Sequence, residues 1–140
     1  MTDPLDAAVA ALTRLSRVIE RAAMPLSLAD YRALAAIASG EERASRLAQR
    51  LAVGKPAISA TVDSLSRRGL ISRERVEADQ RAVTLTLTAE GRDAYEQAQR
   101  RMAQRLAEVA GLASDATISL QSLVELGEAL DRLRVGQVGA

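Results

Sequence analysis

At 140 residues the chain suits one domain, or one domain with an appended oligomerisation element. Hydrophobic residues make up 48%, enough for a core, yet Tyr31 and Tyr95 are the only aromatics, so that core must be built from small and medium aliphatic side chains. Cys and His are both absent, which excludes disulfides, Cys nucleophiles, Ser-His-Asp triads and zinc sites of the usual nitrogen and sulfur kind.

Lys55 is the sole lysine, and no nucleophile stands paired with a base, so neither an enzyme nor a cofactor is expected. The net charge of +1 is unevenly spread. Residues 43–81 hold nine basic and four acidic side chains, a surplus of +5, and the rest of the chain carries −4. A basic middle on an acidic support suits a module that faces a polyanion, and solvated charge on helices would look similar. The apolar stretches are interrupted by charge and no secretory signal is visible, so a cytoplasmic location without membrane contact is expected.

Asp3-Pro4 can open a helix, with Asp as cap and Pro in the first turn. Leu5, Val9, Leu12, Leu15 and Ile19 then share one side as far as Ala23, and Met24-Pro25 ends the run. A second helix is predicted from Leu28 to Ser39, stopped by Gly40. RASRLAQRLAV reads as a third, with Ala44, Leu47, Ala48 and Leu51 facing inward. Val53-Gly54 reads as a tight turn, and Pro56 suits the first turn of a fourth helix. Ile58, Val62 and Leu65 form its buried face, and Gly69 stops it after Arg67 and Arg68. A short helix, a tight turn and a second helix make a helix-turn-helix. The other face of the fourth helix carries Pro56, Ser59, Ala60, Asp63, Ser64 and Arg67. It has no large apolar residue to obstruct entry into a major groove.

After Leu70 the period changes to two. ISRERV (71–76) and AVTLTLT (82–88) read as strands joined by a polar loop around Glu77–Arg81, an apolar-based hairpin with a charged tip. Arginines at such a tip can lie along phosphates or enter a minor groove, with Asp79 holding Arg81 ready. Thr88 then caps a helix from Ala89 to Ala110 whose stripe is Tyr95, Ala98, Met102, Leu106 and Val109. Gly111 breaks it, and Ser114 opens a last helix with Ile118, Leu123, Leu126, Leu130 and Leu133. Val135–Ala140 reads as a frayed tail. Long amphipathic helices at both ends exceed what the middle needs, and packing against a second copy would use them, with packing inside the domain alone as the competing account. The expected architecture is mainly α with a small β-hairpin wing. It divides into an N-terminal dimerisation helix (1–25), a winged helix-turn-helix (26–88) and C-terminal dimerisation helices (89–140).

RLAQRLAVGKPAISATVDSLSRRGLISR, then Asp79-Gln80-Arg81, then LTAEG at 87–91, occur in an order and spacing that resemble the multiple antibiotic resistance regulator (MarR) family of winged-helix transcription factors. The resemblance runs from about residue 26 to residue 95. It implies a homodimer with the shape of a triangle, both chain ends in the dimer interface, and two recognition helices on a near-palindromic operator in double-stranded DNA. It also implies a repressor, released when a small aromatic or anionic effector binds. Two residues depart from the family pattern: Gly54 stands where Ser is frequent and Ala60 where Arg is frequent. Ala60 takes a basic side chain off the groove-facing surface.

The expected DNA-binding residues are therefore Lys55, Arg73 and Arg75 on phosphates, and Pro56, Ser59, Ala60, Asp63, Ser64 and Arg67 on the groove face. Arg81, braced by Asp79, is expected in the minor groove. Arg14, Tyr31 and Tyr95 are the candidate ligand-binding residues, although plain packing or solvent exposure would account for them equally. A winged-helix module that binds protein and has little DNA affinity is the alternative, and Ala60 and the near-neutral charge are its support.

Overall fold

The computed structural model describes residues 3–40, 43–76 and 79–138, with the side chains of 76, 79–82, 135, 137 and 138 outside that description. The elements in order are α1 (Pro4–Ala23), α2 (Leu28–Ala38), α3 (Ala44–Leu51), α4 (Lys55–Arg67), β1 (Ile71–Val76), β2 (Asp79–Leu87), α5 (Ala89–Ala110) and α6 (Ala116–Val138). The chain resolves into two compact units, Met1–Met102 and Ala103–Ala140.

In the first unit, Asp3 caps α1 by accepting from the Leu5 N–H at 2.8 Å. The C-terminal carbonyls of α1 are satisfied from a distance. Arg101 on α5 donates through Nε to the Ala22 carbonyl at 3.0 Å and through Nη2 to that of Met24 at 2.9 Å. Ser27 and Asp30 form a reciprocal capping box at the start of α2, each side chain accepting from the other's backbone N–H at 3.0 Å.

Helices α2, α3 and α4 pack together and against the hairpin. Leu34, Leu47, Leu65 and Leu85, one from each of α2, α3, α4 and β2, are fully buried and centre the core. Ala98 and Met102 of α5 close it. The expected inner face of α4 is the observed one: Ile58, Val62 and Leu65 are buried. The turn before it differs from expectation. Its left-handed residue is Ala52 (φ 53°), while Gly54 is extended and caps α4 without a side-chain bond. A residue at positive φ belongs at the C-cap of α3, where the Val53 N–H turns back to the Ala48 carbonyl.

β1 and β2 pair antiparallel, from Ile71 opposite Leu87 to Arg75 opposite Val83, and the register then shifts so that Val76 faces Asp79. Residues 80–82 are accommodated at this bulge. Asp79, Gln80 and Arg81 therefore lie in β2 and not in a loop, since pairing continues to the end of β1. Arg43 adds one isolated antiparallel bridge to Thr84.

The base of the hairpin is tied to the start of α5. Thr88 donates through Oγ1 to the Gly69 carbonyl at 2.6 Å and accepts from the Gly91 N–H at 3.0 Å, while its own N–H reaches the Leu70 carbonyl at 3.1 Å. A Cβ on Gly91 would stand 1.8 Å from that Leu70 oxygen.

In the second unit Asp115, not Ser114, opens α6, its carboxylate accepting from the Ile118 N–H at 3.0 Å. The helix continues to Val138, so 135–138 is helical where a frayed tail was expected. No helix among the described residues is long and apolar enough to cross a membrane.

Gly91→Ala forces Leu70 and α5 apart, and is expected to lower unfolding free energy by about 3 kcal/mol. Urea denaturation at fixed protein concentration reads this as a lower midpoint, and an unchanged midpoint contradicts it.

Candidate nucleic-acid interface

α4 is two-sided because its apolar residues recur at helical spacing and its remaining positions are small or polar. Pro56, Ser59, Ala60, Asp63 and Arg67 are exposed, and Ser64 is half-buried. The expected groove face is thus an outer face, and the hairpin lies beside it. Lys55, Ser59 and Asp63 of α4 and Arg73 of β1 line one cleft of about 300 Å³, whose floor is apolar and includes Ile58 and Leu85. Arg73 donates through Nη2 to Asp63 Oδ1, so helix and wing are joined by an ion pair at that cleft. Arg75, two positions farther along β1, is exposed and falls on the same side of the strand. Asp79 and Arg81 have their backbones in β2. The bracing expected between their side chains lies outside the described residues.

A second ion pair goes beyond the sequence expectations. Arg68, at the C-cap of α4, reaches Asp30 at 3.0 Å, and Asp30 is 9% exposed. Asp30 thereby serves both the α2 capping box and the end of α4. Its signal in the sequence was Ser27-x-x-Asp30, the spacing of a capping box before an apolar run. Nothing in the local sequence points to Arg68 as the partner, or to Arg101 as the group that closes α1.

Of the candidate ligand residues, Tyr31 and Tyr95 stack, with ring centroids 5.4 Å apart and planes inclined by 26°. Both are half-buried, and Arg14 is exposed on α1. Burial, and next the neighbouring Tyr95 phenol, pushes the Tyr31 hydroxyl above its usual 10.0. Among the described residues no group of three or more acidic side chains is placed to hold a metal ion.

A helix-turn-helix followed directly by an antiparallel hairpin and a closing helix defines the winged-helix class. Residues 24–82 match the model of the MarR family. No curated protein matches the chain. Among solved structures it is similar to the M. tuberculosis transcriptional regulator MOSR in complex with DNA. They share 26% identity over 95% of this chain and 99% of that one, with a TM-score of 0.66. It is also similar in fold to MarR from E. coli in its apo form, at 22% identity over 89% of this chain and 96% of that one, TM-score 0.75. A mutant of that protein complexed with operator DNA gives 22% identity, 87% and 91% coverage, and a TM-score of 0.67.

The raised Tyr31 hydroxyl means that the folded chain keeps this proton to higher pH than the unfolded chain. Its contribution to stability is complete below pH 10.0 and is lost as pH rises above that value. Tyr31→Phe is expected to remove this part of the alkaline fall in stability. Urea midpoints from about pH 8 to 11 check it, and parallel curves for the two proteins contradict it.

Proposed function

We propose that the protein is a dimeric, sequence-specific DNA-binding transcriptional regulator that acts as a repressor. The observation that carries this reading is the outer face of α4, small, polar and exposed, with Lys55, Ser59, Asp63 and the wing's Arg73 gathered around one cleft. A helix of this kind enters a major groove with Ser59, Ala60 and Ser64 toward base edges, where Pro56 and Ala60 offer apolar contact to a thymine methyl. Lys55, Arg73 and Arg75 serve phosphates, Asp63 and Arg67 share the groove face, and Arg81, braced by Asp79, enters the minor groove. The DNA held by MOSR and by the E. coli MarR mutant supports the reading.

Dimerisation has support within each compact unit. Leu5, Val9 and Leu12 of α1 are exposed, as are Ile118, Val124, Leu126, Leu130 and Leu133 of α6. Apolar rows of this length are normally covered, and a second copy of the chain supplies complementary rows by symmetry. On this reading residues 1–25 and 89–140 dimerise, and 26–88 bind DNA. Two copies of α4 then read a near-palindromic operator, and occupancy of a promoter represses it. A small aromatic or anionic effector that releases the DNA is assigned to Arg14, Tyr31 and Tyr95, whose stacked rings offer it a flat partner.

Genomic fragments recovered on the purified protein should share an inverted repeat, and affinity for them should fall steeply between two salt concentrations. Absence of binding at either salt favours the protein-interaction module that Ala60 allows. On the recovered operator, Arg81→Ala is expected to weaken binding by roughly 1–3 kcal/mol, measured by fluorescence anisotropy on a dimer of unchanged secondary structure. Unaltered affinity removes Arg81 from the interface.

A further inference from the structure

Asp63 is the only acidic residue of α4, and it stands on the exposed face that the helix turns outward. A carboxylate there opposes the approach of phosphates, so its presence calls for a physical account. Its partner is Arg73, whose Nη2 donates to Asp63 Oδ1. The backbone beneath Arg73 is held in place. Arg73 faces Leu85 across the ladder, Leu85 is fully buried, and the neighbouring Ser72 and Thr86 hydroxyls bond at 2.7 Å. Asp63 is equally fixed, since Val62 and Leu65 on either side of it are buried. The pair therefore joins two rigid elements. Lys55 lines the same cleft and supplies its other positive charge.

We propose that Asp63 is a positioning residue that withholds Arg73 from the DNA backbone. The proposal rests on the DNA-binding reading and changes the part played by two of its residues. A guanidinium held by a carboxylate displaces no counterion from DNA, so Arg73 adds nothing to the sequence-independent part of the affinity. Asp63 in turn is occupied, and it does not accept a hydrogen bond from a base edge. The pair sets the angle between recognition helix and wing, and it holds down the affinity for arbitrary sequence. That suits a regulator that has to leave its site.

Asp63→Asn frees Arg73, which then engages a phosphate in each chain. Affinity for the operator and for a scrambled duplex should rise by the same factor. The slope of log affinity against log salt should steepen by about 0.9 per chain, or about 1.8 for a dimer. Adding Arg73→Gln to Asp63→Asn should return the slope to that of the wild type, and Arg73→Gln alone should leave it there. Fluorescence anisotropy across a salt series, with thermal midpoints as the control for folding, reads all four proteins. Loss of operator affinity alone in Asp63→Asn, with an unchanged slope, would place Asp63 on a base and overturn the proposal. A flattened slope in Arg73→Gln alone would show that Arg73 already holds a phosphate, and would overturn it equally. If the wild-type protein binds no DNA at any salt, the DNA-binding reading itself falls and takes the proposal with it.

Discussion

The contact on which the interface depends is the one between Thr88, Gly91 and the Gly69-Leu70 backbone. Gly69, at a φ of 74°, ends α4, and β1 begins two residues later at Ile71. β2 ends at Leu87, and the Thr88 hydroxyl at once binds the Gly69 carbonyl while capping α5. Both legs of the hairpin therefore start from one point at the end of the recognition helix. Since Gly91 has no Cβ, α5 can lie directly on Leu70. With that point fixed, the ladder alone determines where Arg73 and Arg75 emerge. A side chain at Gly91 would press on the Leu70 backbone, between the end of α4 and the start of β1.

Much of this was legible in the sequence, because the elements near the interface are specified locally. The period of α4, the change of period after Leu70 and the Leu-Thr-x-x-Gly sequence each follow from residues a few positions apart. Contacts between distant residues were not legible. Asp30 with Arg68 and Arg101 with the end of α1 depend on how helices cross, and Asp63 with Arg73 on how the hairpin lies against α4. No spacing rule joins positions 101 and 22. The turn of the helix-turn-helix departs from expectation for another reason: Val53-Gly54 carries the expected turn chemistry, yet the left-handed conformation falls on Ala52. Ala has a cost at that conformation, and the buried helices on either side impose it. The hairpin tip departs because its polar residues suggest a loop, whereas strand pairing continues to Asp79.

The two long-range ion pairs also change the meaning of the charge map. The sequence shows a basic middle, and from it arginines free to meet a polyanion. Arg68 is instead turned inward to a buried carboxylate, and Arg73 is tied to α4. Such arginines hold elements in register more than they raise the surface potential. A guanidinium suits both tasks, since its planar fork gives direction as well as charge. Asp63 is already counted against Arg73 in the surplus of 43–81, so it is the Arg68–Asp30 pair, whose acid lies outside that stretch, that lowers it.

The same economy of side chains runs through the core. Without Phe or Trp, the first unit fills its interior with Leu, Ile, Val, Met and Ala, and alanines such as Ala33, Ala36 and Ala48 let the helices approach closely. Close approach leaves little volume to bury per residue, so such a unit gains less from its interior than one rich in aromatics. The apolar residues that the core does not use stand exposed at Leu5, Val9 and Leu12 on α1. In the second unit the rows along α6 are exposed from Ile118 to Leu133. Covering them between two copies would return the missing apolar burial to the fold. It would also present α4 twice, as the proposed reading of a symmetric site requires.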